Sequence, residues 1–522
     1  MRLDGLMLLW LAVQTITIDT TADRHPIDER VYGVHAATAE QLRDLNVPLN
    51  RSGGNLTTRY NWEQNASNHA KDYFYESRPR GPDVPGEWLD HFLVATLNAK
   101  KTPLITIPMI EYVAKLGPGR AVLCSFPLTK FGPQQDSHEN CGNGIAPGGA
   151  LLTADPNDAN VRVSSAFQAA WVAHMVAWWG RGGRYYMLDN EHSIWHESHR
   201  DVRPIGVTMD ETLAHIIEYA NAIRAADPDA TILGPEEFGW TGYLYSGYDK
   251  WWAEVQGHGW SGPLPDRMAH GGMDYLPWLL RELHAHDTAT GRRTLDMLTV
   301  HYYPLGKIFS DDVSEPTRLL RNRTTRSLWD PEYVDPFIGT QVRLIPRLRE
   351  WVDAYYPGLP IGLTEYSWGA DRDISGALAQ ADLLGILGRE DIDLAARGET
   401  PPTGSPAYEA IKLYRNYDGR FSTFGDVSVR VSTPNPDEIA AFAAIRTHDG
   451  ALTIVLINKQ LVAAEVDVHV ALDDQAIERY QLTREGLTRI ADVATLDGIP
   501  LPPQSVTLFV AGSRGGKARA VR

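Results

Sequence analysis

The chain has 522 residues, 43% of them hydrophobic and 22% charged, with 15 Trp, 22 Tyr and 2 Cys. So much apolar material buries a large core, which excludes a disulfide-held miniprotein, a collagen-like repeat and an unfolded polyelectrolyte. Lys and Arg number 49 against 66 Asp and Glu, and a net charge of -17 repels phosphate backbones instead of releasing their counterions, so no nucleic acid is expected as a partner.

The longest strongly apolar run, residues 6–13, falls far short of the ~20 residues that a membrane-spanning helix needs, so no membrane span is expected. Arg2 precedes that run, but Asp4 spoils a positive start and no small-residue cleavage site follows before Thr15, so an intact leader is not expected. The alternation of Ile16, Ile18 and Thr20 predicts a strand that suits a sandwich edge better than a barrel wall. From about residue 30 to 400 short β-rich runs alternate with stretches of helical period, the pattern of an α/β protein. Eight strands are predicted, over residues 31–35, 48–52, 103–108, 185–190, 231–235, 296–302, 360–366 and 393–396.

Between them, Trp88, Phe92, Leu93 and Leu97 recur at helical steps, as do Phe167, Trp171, Met175 and Trp178, and Leu213, Ile216, Ile217, Ala220 and Ile223. Trp171, Trp178 and Trp179 are assigned to packing on this basis. Eight strands separated by helices predict a closed (β/α)8 TIM-like barrel; no Gly-rich first turn announces an open nucleotide-binding sheet, and Gly257, Gly259 and Gly262 read as loop glycines. After Tyr408 the period changes to two, with strands over 439–446, 452–458, 466–470 and 506–510 and a hairpin turn at Asp449 and Gly450. The expected organisation is a catalytic barrel over 23–408, an all-β sandwich from 15–22 plus 409–512, and a disordered tail over 513–522.

In such a barrel the reacting groups gather where the strands end. The fourth strand stops in Asp189, Asn190 and Glu191, and the seventh ends in Thr364 and Glu365. A carboxylate at the end of a buried strand is costly to desolvate unless it is paired or used. A rim salt bridge accounts for one such Glu; two from opposite walls are what glycosidic cleavage needs, one protonated and one ionised. Asn190 then serves the sugar 2-hydroxyl, Glu191 acts as acid and base, Glu365 as nucleophile, and Arg51, at the end of the second strand, holds Glu365 ionised.

Aromatic platforms for pyranose faces are expected from Trp62, Trp195, Trp329, Trp368 and Tyr302, with core packing as the alternative for each. His301 and Tyr302 end the sixth strand, where the Tyr302 hydroxyl is expected to reach Glu365. His192, His196 and His199 invite a metal, but His196-Glu197-Ser198-His199 is one residue too short for the helical zinc motif, so they are assigned to the substrate rim and no catalytic metal or other cofactor is required. Asp155, Asn157 and Asp158 offer oxygens for a structural calcium, although the EF-hand glutamate is replaced by Ala166. Cys124 and Cys141 share a Gly/Pro-rich stretch, where a bridge in an oxidising compartment and two free thiols remain equally open.

Several of these segments resemble one family. The run Asn50-Arg51-Ser52-Gly53-Gly54-Asn55-Leu56-Thr57-Thr58-Arg59-Tyr60-Asn61-Trp62 is similar to glycoside hydrolase family 44, as are Leu188-Asp189-Asn190-Glu191, Leu363-Thr364-Glu365-Tyr366 and Lys412-Leu413-Tyr414-Arg415-Asn416-Tyr417-Asp418-Gly419. The resemblance extends from Thr15 to about Val510; the run from Thr57 to Trp62 is specific, whereas Asn-Glu alone is weak. It implies an endo-acting, retaining β-1,4-glucanase or xyloglucanase, a barrel with a β-sandwich fed by both chain ends, Glu191 as acid/base and Glu365 as nucleophile. One departure is His192, where the wider clan carries Pro; it touches the local turn and not the carboxylate. The expected protein is a secreted, monomeric enzyme acting on β-1,4-glucan or xyloglucan. Endo-xylanase or bifunctional glucanase-xylanase activity, arabinofuranosidase activity and a non-catalytic carbohydrate-binding barrel are the alternatives.

Overall fold

A computed structural model describes residues 14–180, 184–472 and 476–512; the leader reading at residues 1–13 and the tail reading at 513–522 lie outside the described residues. All eight expected strands join one parallel sheet: β1 (Val34–His35), β2 (Leu49–Ser52), β3 (Thr102–Ile107), β4 (Arg184–Leu188), β5 (Ala230–Glu237), β6 (Met297–Tyr302), β7 (Ile361–Tyr366) and β8 (Leu394–Ala395). They neighbour one another in chain order, and a parallel bridge from Gly33 to Ala396 joins the last strand to the first, closing the barrel. Gly33 suits that seam because a β carbon there would meet the Ala395 carbonyl oxygen at 2.5 Å. The first strand is shorter than expected: Glu29–Tyr32 winds into a 3-10 turn capped by Asp28. Leu49, Leu104, Met187, Leu233, Met297 and Leu394, one from each of six strands, fill the barrel interior.

Around the strands run α1 (Ala39–Leu45), α2 (Glu87–Asn98), α3 (Ser165–Trp179), α4 (Met209–Ala226), α5 (Tyr275–Thr290), α6 (Leu344–Tyr355), α7 (Ile374–Arg389) and α8 (Pro406–Arg415). Their starts carry recognisable caps. Thr38 and Gln41 form a capping box on α1, the Thr208 hydroxyl accepts the Glu211 amide on α4, and Ser405 followed by Pro406 opens α8. In α3 the buried face is Trp171, Val172, Met175 and Trp179, while Trp178 is 58% exposed, against its assignment to packing. The inner face of that helix is centred on Met175, which leaves Trp178 beyond its edge.

Two further sheets pack face to face. One has seven strands in the order His25–Pro26, Val427–Ser428, Ile439–Arg446, Ala451–Asn458, Ser505–Ala511, Ile477–Thr483 and Gly486–Val493; the other has four, Arg430–Ser432, Gln14–Asp19, Ala464–His469 and Ile499–Leu501. Ile16 and Ile18 from the Gln14–Asp19 strand are buried between them with Ile439, Leu456 and Phe509. Helix α8 runs across the 408/409 position where the sequence pattern was divided, and the two-residue strand His25–Pro26 also pairs outside the barrel.

Helix α7 lies between barrel and sandwich and is buried from Ile374 to Gly388, which explains why its sequence has no polar face. Gly385 is required there, since a β carbon would collide with the Phe442 ring of the sandwich. Lys459 of the sandwich reaches Asp382 of α7 at 2.6 Å, with both side chains almost wholly buried.

Candidate active site

Glu191 follows β4 and Glu365 lies near the end of β7, at the mouth where the strands terminate. A carboxylate oxygen of each and a ring nitrogen of His301 all lie within 4.8 Å of one another. The two glutamate side chains keep 12% and 11% of their surface exposed, so both are reachable from the barrel mouth.

Glu365 points inward because of a bulge. Gly362 faces the interior, where a β carbon would touch Met297 and Thr299, and Leu363 faces the helices. Strict alternation would then turn Glu365 outward. The register between β6 and β7 shifts, however: Val300 pairs with Leu363 and His301 with Glu365, leaving Thr364 as the extra residue. After that residue Glu365 shares the inward face of His301. Glu191 is aimed differently. The backbone leaves the sheet with Asp189 and Glu191 in the left-handed region (φ 60° and 49°), a conformation costly for residues other than glycine. It is held because the Asp189 carboxylate accepts the amides of Met109 and Ile110, and the Glu191 amide donates to the Glu236 carbonyl at 2.9 Å.

The charges around the pair are fully buried and balanced. Arg51 donates to Glu365 through one guanidinium nitrogen; the other donates to Asn190 Oδ1 at 3.3 Å and lies 3.8 Å from Glu236. The Tyr303 hydroxyl donates to the remaining Glu365 oxygen at 2.8 Å. His301 bridges two carboxylates, with Nδ1 at 3.0 Å from Glu191 and Nε2 at 3.2 Å from Glu236. Burial alone would neutralise its ring, but Glu365, Glu191 and Glu236 lift its pKa to about 10, so it stands as an imidazolium. Burial likewise opposes charge on Glu365, yet Arg51, then His301 and His35, hold it well below the usual carboxylate range. Glu191 goes the other way: burial raises it and the Glu365 charge adds to that, against His301. The surroundings therefore push the two proton affinities apart, Glu365 towards the carboxylate and Glu191 towards the acid. The buried Glu236, held below its ordinary value against burial by His301 and Arg51, supplies the second anion that balances two cations.

Of the residues expected at the site, Glu191, Glu365, Asn190, Arg51 and His301 converge. The aromatics do not. Tyr302 faces the helices and lies against Trp368 with ring centres 5.7 Å apart, so it is Tyr303 that reaches Glu365. Tyr303 stands two residues beyond His301 and shares its side of the chain, whereas Tyr302 takes the opposite one. Trp368 is buried and donates to Thr324 at 2.9 Å; Trp195 is buried and donates to the Asn190 carbonyl at 2.9 Å, bracing the loop from behind. Trp62 is fastened to α3 through Phe167, and Trp329 lies beneath Arg389 at the end of α7, on the opposite face of the barrel. A second aromatic missed in the sequence, after Tyr303, is Phe309, half-exposed and edge-on to Tyr303 at 5.0 Å. Both line a cavity of about 790 Å³ beyond β6, β7 and β8, together with Ser367, Asp371, Arg397 and Glu399.

The three histidines after Glu191 are buried rather than set along a rim. His192 lies 2.6 Å from Glu237 and 2.7 Å from the Tyr275 hydroxyl, and His199 is enclosed beside Arg59. At Asp155, Asn157 and Asp158 two ammonium groups already take oxygens: Lys115 donates to the Asn157 carbonyl and Lys130 to the Asp158 carboxylate, both at 2.6 Å. Cys124 and Cys141 form a disulfide, with α carbons 5.7 Å apart.

The family model for glycoside hydrolase family 44 matches residues 66–305. The structure is similar to that of CelM2, a bifunctional glucanase-xylanase from a metagenome library, with 47% identity, a TM-score of 0.93, and 96% of this chain and 99% of that one covered. It is also similar to a Paenibacillus polymyxa xyloglucanase solved with xyloglucan, at 27% identity and a TM-score of 0.77, over 96% of this chain and all of that one. Among curated proteins, Endoglucanase A of Paenibacillus lautus is 31% identical over 471 residues, 85% of this chain; the chain spans 63% of the length of that relative. Among the described residues no helix is long and apolar enough to cross a membrane. With near-complete coverage of a 47% identical relative and the family match across its centre, the chain belongs to glycoside hydrolase family 44.

Proposed function

We propose that the chain is a retaining endo-β-1,4-glucanase in which Glu365 is the nucleophile and Glu191 the acid and base. The observation that carries this reading is the closeness of the two carboxyl groups, with oxygens within 4.8 Å, in surroundings that push their proton affinities apart. Retaining enzymes hold the pair ~5–5.5 Å apart, whereas inverting ones need ~6.5–9.5 Å to admit a water between sugar and base. In the first step the Glu365 carboxylate bonds to the anomeric carbon as the glycosidic bond breaks, and the Glu191 proton passes to the departing oxygen. Glu365 loses its charge in that bond, which removes the part of Glu191's raised proton affinity that came from that charge. Glu191, now ionised, takes a proton from water; the water oxygen attacks the anomeric carbon and releases Glu365. Arg51 and Tyr303 hold both Glu365 oxygens, fixing the line of attack, and Asn190 stands beside the pair to meet the sugar 2-hydroxyl.

A β-1,4-glucan backbone is the substrate that the activities of the relatives support, and the cavity with its Phe309 platform gives a sugar ring a place against Tyr303, whose hydroxyl bonds Glu365. Identity of 47% to a glucanase-xylanase favours xylan as a second substrate. Such polymers do not enter cells, so the enzyme is proposed to work outside them, as a monomer. Initial rates on carboxymethylcellulose, xyloglucan, xylan and an aryl arabinofuranoside test the reading, with a glucan expected to be fastest. Glu365→Gln is expected to abolish turnover while cello-oligosaccharides still bind. A wild type that binds them without releasing reducing ends is a carbohydrate-binding barrel, and the enzyme reading is then wrong.

A further inference from the structure

We propose that His196, Glu197 and Glu254 form a zinc-type divalent-metal site tying the loop after Glu191 to the neighbouring βα loop. His196 and Glu197 lie on the one-turn helix Trp195–Ser198 beyond β4; Glu254 lies on the helix Gly247–Gln256 beyond β5. The His196 side chain is 2% exposed, and among the described residues neither ring nitrogen has a hydrogen-bond partner. A buried imidazole left in that state loses its hydration with nothing in return. Its Nε2 lies 3.4 Å from a Glu254 oxygen and 4.0 Å from a Glu197 oxygen, and the three donor atoms lie within 4.8 Å of one another.

Zinc bonds of ~2.0–2.1 Å in a tetrahedron put donor atoms about 3.3–3.4 Å apart. The His196 to Glu254 edge already has that length. Glu197 must close the other two edges, and rotation allows it, since the Glu197 and Glu254 side chains are 40% and 55% exposed. The same exposure gives an ion its way in and a water its place as fourth ligand. One imidazole with two carboxylates suits zinc or a similar transition metal, whereas calcium and magnesium prefer oxygen alone. The ammonium of Lys250, on the same helix as Glu254, lies over the Phe238 ring at 4.8 Å and leaves the imidazole unpartnered. The spacing of His196 and His199 rules out a helical zinc motif, and His199 takes no part; the further carboxylate comes from a different loop. The cluster of Glu191, His301 and Glu365 is as tight, but both His301 nitrogens already donate to carboxylates, so that ring has no lone pair for an ion.

Calorimetric titration of zinc chloride into the full chain, first stripped with EDTA, is expected to show one equivalent bound. His196→Ala is expected to abolish binding. Glu254→Gln, a change on a half-exposed helix surface that leaves the fold intact, is expected to weaken it at least tenfold, about 1.4 kcal/mol. Cobalt(II) in place of zinc should give the strong visible absorption of a four-coordinate ion, lost in both variants. No binding at millimolar zinc, equal binding by wild type and Glu254→Gln, or binding lost only in Glu365→Gln would each overturn the proposal.

Discussion

Replacing Tyr303 by Phe removes one hydroxyl and keeps the ring that packs edge-on against Phe309. The lost contact is a 2.8 Å hydrogen bond to the Glu365 carboxylate, and bonds to charged groups are worth about 1.5–3 kcal/mol. At about 1.36 kcal/mol per pH unit, that range corresponds to about one to two units. Arg51, His301 and His35 contribute more than Tyr303 to keeping Glu365 ionised against its burial, so the low end applies, about one pH unit. Glu365 must be ionised to attack, and without the donor it protonates at higher pH. The acid limb of the kcat/KM profile on a soluble glucan is therefore expected to move upward by about one unit, while the alkaline limb, set by deprotonation of Glu191, stays. Tyr302→Phe serves as control, because that hydroxyl lies on the helix side of the strand, and its profile should match wild type. An unmoved acid limb in Tyr303→Phe, or an equal shift in Tyr302→Phe, would refute the reasoning; a rate loss equal at every pH would mark a purely structural role.

Lys459→Met leaves Asp382 buried with, among the described residues, the Thr325 hydroxyl as its remaining side-chain donor, and is expected to cost ~3–5 kcal/mol in urea unfolding; adding Asp382→Leu should recover most of it. Gly385→Ala drives a methyl into the Phe442 ring and should cost ~1–3 kcal/mol, part of it returned by Phe442→Leu. His301, whose folded pKa is raised to about 10, contributes stability that is complete below its unfolded value of ~6.5 and is lost as pH rises through the folded one. Melting temperature should accordingly fall across that alkaline window in wild type, and the fall should be smaller in His301→Gln.

The barrel was legible because it depends on local pattern: eight β-rich runs separated by helical stretches leave a parallel sheet few other ways to close. The two glutamates were legible because an apolar strand that stops in a carboxylate is conspicuous, and the runs around Arg51, Glu191 and Glu365 carry a family resemblance. Placement of the aromatics was not. Tyr302 and Tyr303 are the same side chain one residue apart, and which one meets Glu365 depends on the face that His301 takes. Glu365 itself reaches the interior only because Thr364 is inserted without a partner on β6, a shift that belongs to the pairing of two strands and is written in neither. Glu236, one residue beyond the expected fifth strand, and Glu254, 63 residues after Glu191, became neighbours of charged groups from other elements only when the strands were brought round into a ring. What the sequence by itself determined was the order of elements and the kinds of group at their ends, since periodicity and desolvation cost act along the chain. What only the tertiary structure decided was which face each end presents and which charges meet, since register, bulges and electrostatic coupling arise between segments that are distant in sequence.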